Sequence, residues 1–170
     1  HLDLDLLIQS EVEEFFRAVR PQYVFLAAGT APTLFSTNAY RADVIYENLA
    51  IQTNVIHSAF INEVHKLIYF GCSNIFPMTG QQPYQEETIL GGSLEKTTEP
   101  HAVAKIAGIT MCESYNSQYG TDFFSVIPTN VYGPGQTYDG MNSALIPRLI
   151  ESIESGKDSG STEVKLLGSD

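Results

Sequence analysis

The sequence predicts a parallel α/β fold, a doubly wound sheet of which only part is present. Three observations carry this. Short apolar runs at 23–28, 67–70 and 123–127 each break at a glycine or a proline, the pattern of strands covered on both faces. A stretch with helical spacing precedes each run, so the order is helix, strand, helix, strand, helix, strand. Such alternation implies right-handed crossovers between parallel strands, with ligands bound beyond the strands' carboxyl ends.

The elements follow in order. Ser10, Glu11, Val12 and Glu13 read as a capping box, and Val12, Phe15, Phe16 and Val19 recur at helical spacing until Pro21. The run at 23–28 is the first strand. From 42 to 63 the spacing of Ile45, Leu49, Ile56 and Phe60 is helical, and the strand at 67–70 ends at Gly71. Residues 74 to 99 hold Pro77, Gly80, Pro83, Gly91 and Gly92 with little periodicity, an unusually long connection of the kind that often carries function. Pro100 suits the first position of a helix reaching Tyr119, with Gly120 as its stop. After the third strand come a helix at 143–155, a polar linker at 156–162 and a strand at 164–167.

Composition narrows the function classes. With 170 residues, 43% hydrophobic and 17% charged, there is material for one core and not two. The net charge of -11, from 20 acidic against 9 basic residues, repels nucleic acid and anionic membranes, so a phosphate-bearing ligand needs a local positive site. Cys72 and Cys112 lack metal-ligand spacing, which argues against a zinc site or disulfide framework and fits a reducing cytoplasm. No stretch is long enough for a membrane span, and the first residues lack the order of a secretory signal. His57 and His65 are assigned to surface or packing, Cys112 to the core, Tyr40, Tyr46 and Tyr115 to packing, and Glu86 and Glu87 to a solvated loop face.

Chemistry is expected where the strand ends, at 28–29, 71–73 and 128–130, meet His101 and Lys105. These two lie four apart, hence on one helix face, directly after the long loop. The competing assignment for them is an ordinary solvated pair, and for Cys72 a small buried strand-end residue.

The phrases LDLDLL, VFLAAG, KLIYFGCSNIFP, LEKTTEPHAVAKIAGITMCESYNSQYG and SVIPTNVYGPG, in this order and spacing, resemble the GDP-L-fucose synthase family of extended short-chain dehydrogenase/reductases. The resemblance runs from about residue 2 to 168 and implies a Rossmann-type sheet. It further implies that the family's first βα unit, with its Gly-rich turn, precedes His1, and that most of the substrate portion follows Asp170. The expected division is a dinucleotide-binding part at 1–155, then a linker and first substrate-portion strand at 156–170. Short of that turn, the chain is expected to bind dinucleotide poorly.

The implied reaction is epimerisation of a GDP-linked 4-keto-6-deoxymannose at C3 and C5, then hydride transfer from NADPH to C4. The first part needs groups that remove and return protons beside a carbonyl, and the second a proton donor for the oxyanion. In the family a Tyr gives that proton, a Lys one turn on acidifies it and holds the nicotinamide ribose, a Ser binds the keto oxygen, and a Cys and a His epimerise. Position by position, the Lys is Lys105, but the Tyr position is His101, the Ser position Cys72, the epimerising Cys position Asn74 and the epimerising His position Ala144. A family Gly-Gly pair is replaced at Pro32 and Thr33. An amide and a methyl cannot exchange protons near neutral pH, so loss of the epimerase step and an impaired reductase are expected; the alternative is a silent nucleotide-binding or dimer-forming module.

For the cofactor, the resemblance places Asp5 and Leu6 by the adenine and Ala27, Ala28 and Gly29 along the dinucleotide. Phe70, Gly71, Cys72 and Ser73 then lie beside the nicotinamide half, with Lys105, Pro128, Thr129, Asn130 and Val131 completing the wall. His1 stands where the family tends to carry an Arg near the 2′-phosphate, so NADP is expected with NAD possible. No metal is expected. The implied partners are a GDP-linked deoxyhexose-type substrate and a second copy of the chain, joined through helices 42–63 and 100–119.

Overall fold

In the computed structural model, residues 4–30, 39–129, 131–135, 145–160 and 163 are described. The expectations for His1, Pro32, Thr33, Asn130, Ala144 and the strand at 164–167 lie outside them. Helix α1 (Gln9–Val19) buries Val12 and Phe16, one turn apart. The capping box does not form: the helix starts at Gln9 and no side chain caps it. Its entry is closed instead by Glu11, whose Oε2 accepts from the Asp5 N–H, and by Asp5, whose Oδ1 accepts from the Leu7 N–H. The chain leaves α1 through Arg20, in the left-handed conformation at φ 48°, and Pro21 prevents continuation.

Strands β1 (Tyr23–Leu26), β2 (Lys66–Phe70) and β3 (Phe123–Val126) form a parallel sheet in that order, with Tyr23 opposite Lys66 and Leu67 opposite Phe123. Helix α2 (Arg41–Ile61) joins β1 to β2 and helix α3 (Glu99–Tyr119) joins β2 to β3, the two helices packing on each other. Leu26, Leu67, Tyr69 and Phe123 are buried in one core with Val55, Ile56, Ile106, Ile109 and Cys112. Each such side chain contributes about 1.5–3 kcal/mol by leaving water.

Burial on both faces of β1 does not hold among the described residues. Side chains alternate in direction along a strand, and Tyr23 and Phe25 are 62% and 67% exposed while Leu26 is buried. Tyr40 and Tyr46, assigned to packing, are also exposed, whereas Tyr115 sits in a ring cluster with Phe60 and Tyr119.

The long connection between β2 and α3 contains two single turns, at Ser73–Ile75 and Glu86–Thr88. Buried Ile75 and the stacked rings of Phe76 and Tyr84 pack it. Arg41 ties its far end to α2, donating to the Lys96 carbonyl at 2.6 Å and pairing with Glu99 at 3.3 Å. Pro100 is the second rather than the first residue of α3, and Gly120 ends that helix as expected, at φ 69°. Helix α4 (Leu145–Asp158) continues three residues into the stretch read as a linker. No helix among the described residues is long and apolar enough to cross a membrane.

Candidate functional site

Parallel topology brings the carboxyl ends of β1, β2 and β3 to one rim, and the first turns of α3 point back to it. Lys105 is 7% exposed, and its Nζ donates to the Phe70 carbonyl at 2.8 Å. The ammonium also lies 4.9 Å from the centre of the Tyr69 ring, a cation–π distance. His101, equally buried, places Nδ1 3.7 Å from Cys72 Sγ. A solvated surface pair is therefore ruled out for His101 and Lys105. The helix face expected from their spacing is the one that meets the strand ends.

A second layer of polar residues holds this arrangement, and sequence reasoning did not single it out. Gln52 is buried on α2, donating to the Ala104 carbonyl at 2.8 Å and accepting from the Tyr69 hydroxyl at 2.6 Å. Asn48, also buried, donates to the carbonyls of Thr30 and Val44 at 2.8 and 2.7 Å. Its Oδ1 lies so near Gly29 that a Cβ there would sit 2.6 Å away, and the same Cβ would be 3.7 Å from Lys105 Nζ. Glycine is what lets the end of β1 come this close to the Asn48 amide. The available signal was two amides, Asn48 and Gln52, four residues apart and hence on one face of the helix.

Burial dominates the electrostatics. It pushes His101 down to about 4, with Lys105 repulsion adding to it, so the imidazole is neutral at pH 7. Burial likewise lowers Lys105, partly opposed by Cys72. The Cys72 thiol is raised by burial, against the backbone N–H groups of Asn74 and Ile75 and the Lys105 charge, all of which favour a thiolate. Tyr69 is held well above the usual phenol range, chiefly by burial, and so stays protonated. The rim thus offers a neutral imidazole, a thiol and one ammonium.

The remaining expected residues are distributed around this cluster. Ala27, Ala28 and Gly29 line the end of β1 with little bulk and open to solvent; Gly71 is buried, its N–H donating to the Val126 carbonyl at 2.8 Å. Ser73 and Asn74 are exposed on the turn beyond Cys72. Pro128 and Thr129 follow β3, and Val131 is exposed. Asp5 and Leu6 lie in the turn ahead of α1, where the Leu6 carbonyl accepts from Asn54 on α2. Cys112 is core, pushed up to about 11 mainly by burial. Among the described residues no group of three or more His, Cys, Asp or Glu side chains could hold a metal ion.

Comparison with known proteins identifies the family and the fold. The profile of the NAD dependent epimerase/dehydratase family matches residues 1–170. The GDP-L-fucose synthase of Escherichia coli is 44% identical over 167 residues, covering 98% of this chain and 52% of that protein. GDP-L-fucose synthase 1 of Arabidopsis thaliana is 45% identical over 168 residues, with 99% and 52% covered. The chain therefore spans about half the length of these relatives. Among solved structures, the GDP-mannoheptose C4 reductase of Campylobacter jejuni, with NADP bound, superimposes with a TM-score of 0.85 at 38% identity, over 95% of this chain and 51% of that one. A GDP-L-fucose synthetase from Naegleria fowleri, bound to NADP, reaches a TM-score of 0.88 at 24% identity, which speaks to the Rossmann-type fold alone.

Proposed function

Since the chain belongs to the NAD dependent epimerase/dehydratase family, we propose that it forms the central part of an NADP-dependent sugar-nucleotide reductase of the GDP-L-fucose synthase type, with NAD as a possible substitute. The observation that carries this reading is the buried Lys105 ammonium, fixed at the carboxyl end of β2 beside His101 and Cys72. The small, open residues Ala27, Ala28 and Gly29 fit a dinucleotide laid along the rim, with Phe70 to Ser73, Lys105 and the segment from Pro128 to Val131 at its nicotinamide half and Asp5 and Leu6 toward the adenine. When bound, the cofactor supplies hydride.

This chain's own residues limit the rest. Tyr69, raised and engaged by Gln52, is not available as the proton donor. His101 takes that place: its neutral ring polarises the keto oxygen through an N–H, and Cys72 adds a weak thiol donor. The imidazole is shorter than a tyrosine side chain, and a misplacement of about 1 Å costs on the order of 100-fold in rate, while a thiol is a weaker donor than a hydroxyl. The exposed Asn74 amide cannot exchange protons, and the methyl at Ala144 cannot either, so the epimerisation of C3 and C5 is lost.

The substrate class is a GDP-linked 4-keto deoxyhexose. The dimer expected through α2 and α3 is supported by apolar side chains left exposed on these helices, Tyr46, Ile61, Val103 and Tyr119. The test is NADPH oxidation by a polypeptide carrying residues 1–170, supplied with GDP-4-keto-6-deoxymannose. Slow reduction without exchange of solvent deuterium into C3 and C5 is the expected result, and turnover with full exchange overturns it.

A further inference from the structure

A reductase needs only a proton donor at the position of Cys72, yet the groups around this sulfur match a different task. His101 Nδ1 is 3.7 Å away; burial raises the thiol, and the backbone N–H groups of Asn74 and Ile75 and the Lys105 ammonium oppose that rise. The thiol is therefore not ionised at rest; the neutral imidazole takes its proton as a general base during attack, while the N–H groups and ammonium stabilise the negative charge that develops. Nucleophile and base within reach of each other are the arrangement of covalent catalysis.

We propose that Cys72 and His101 form a nucleophilic couple that captures an aldehyde and permits its oxidation to a carboxylic acid. The oxidative half rests on the nicotinamide reading given above; the capture does not. The thiol proton passes to His101 Nδ1, Sγ forms a bond to the carbonyl carbon, and the carbonyl π pair moves to oxygen, which regains the proton from the imidazolium. The resulting thiohemiacetal keeps the aldehyde hydrogen. That hydrogen leaves with its electron pair to an oxidised nicotinamide, the hydroxyl proton goes to solvent, and a Cys72 thioester remains. Water cleaves the thioester to the acid and returns the thiol, so one aldehyde, one oxidised nicotinamide and one water give an acid, a reduced nicotinamide and a proton. A ketone adduct carries no hydrogen on that carbon and goes no further, which selects aldehydes as the substrate class.

The capture is tested on the chain itself by following iodoacetamide alkylation of Cys72 and Cys112 at pH 7 by peptide mass spectrometry. Expected are alkylation of Cys72 at least about tenfold faster than of buried Cys112, a loss of about tenfold in that rate in both His101→Phe and His101→Gln, and protection by propionaldehyde but not acetone. Circular dichroism confirms that each variant is folded. Equal Cys72 rates in wild type and folded His101 variants overturn the proposal. So does a borohydride-fixed propionaldehyde adduct on Lys105 in place of protection at Cys72. In a longer polypeptide carrying residues 1–170, NADP+ with propionaldehyde is expected to give NADPH and propionate in equal amounts. NADPH fluorescence titration of that polypeptide separates the two readings: binding without propionate formation ends the oxidation alone, and absence of binding ends the cofactor reading with it.

Discussion

The Tyr69 hydroxyl donates to Gln52 Oε1 at 2.6 Å, and the same amide donates to the Ala104 carbonyl at 2.8 Å. One buried amide on α2 therefore joins a strand residue lying beneath the Lys105 ammonium to the backbone one residue before Lys105. Removing either partner leaves a buried polar group without its hydrogen bond. Tyr69→Phe, which keeps the ring under the cation, is expected to cost about 1–3 kcal/mol in urea denaturation. A change within experimental error sinks the idea that this bond is a structural tie.

Gly108 faces Tyr69 so closely that a Cβ would lie within 2.7 Å of the ring atoms Cζ and Cε1 and of the hydroxyl oxygen. Tyr69 cannot yield without breaking its bond to Gln52. Gly108→Ala is thus expected to destabilise by about 1–3 kcal/mol through overpacking. Because a smaller side chain at 69 vacates the clashing volume, the cost of Gly108→Ala falls in a Tyr69→Leu background, as a double-mutant cycle measures.

His101 gives the fold an acid-side pH dependence. Its folded value of about 4 lies below the ordinary 6.5, so between these values the unfolded chain binds more protons. Stability contributed by the neutral ring is present above about 6.5, falls as the pH drops through this window and levels off below about 4. The loss is on the order of 2–3 kcal/mol. Comparing urea midpoints of wild type and His101→Phe at pH 7 and pH 4.5 isolates it; a parallel decline in both proteins contradicts the assignment.

If the scaffold of a reductase is intact, restoring the family's groups restores rate. Cys72→Ser combined with His101→Tyr, in a polypeptide carrying residues 1–170, is expected to raise NADPH oxidation with a GDP-linked 4-keto sugar by about 100-fold. No gain favours the reading of a silent nucleotide-binding module.

Arg20 closes α1 at φ 48°, a conformation that costs a side-chain-bearing residue more than glycine. Arg20→Gly is expected to stabilise the chain by about 0.5–1 kcal/mol, read as a rise in thermal midpoint. A fall instead shows that the arginine makes a compensating contact.

The sequence alone determined the order and direction of the elements, because periods of 3.6 and apolar runs are local properties. It also determined that His101 and Lys105 share a face, since four residues make one turn. It could not show that the α1 entry is closed by Asp5 and Glu11 rather than Ser10, nor that Tyr40, Tyr46, Tyr23 and Phe25 stand exposed. Those outcomes depend on which neighbouring elements cover each surface. Only the tertiary structure decided that a thiol at 72 and an imidazole at 101 lie 3.7 Å apart, and that Tyr69, held by Gln52, lies against the Lys105 ammonium. The reason is physical: periodicity encodes which way a side chain faces. Its distance from a residue on another element depends on how closely the two elements approach, as Gly108 shows where α3 meets Tyr69 and Gly29 where the end of β1 meets Asn48.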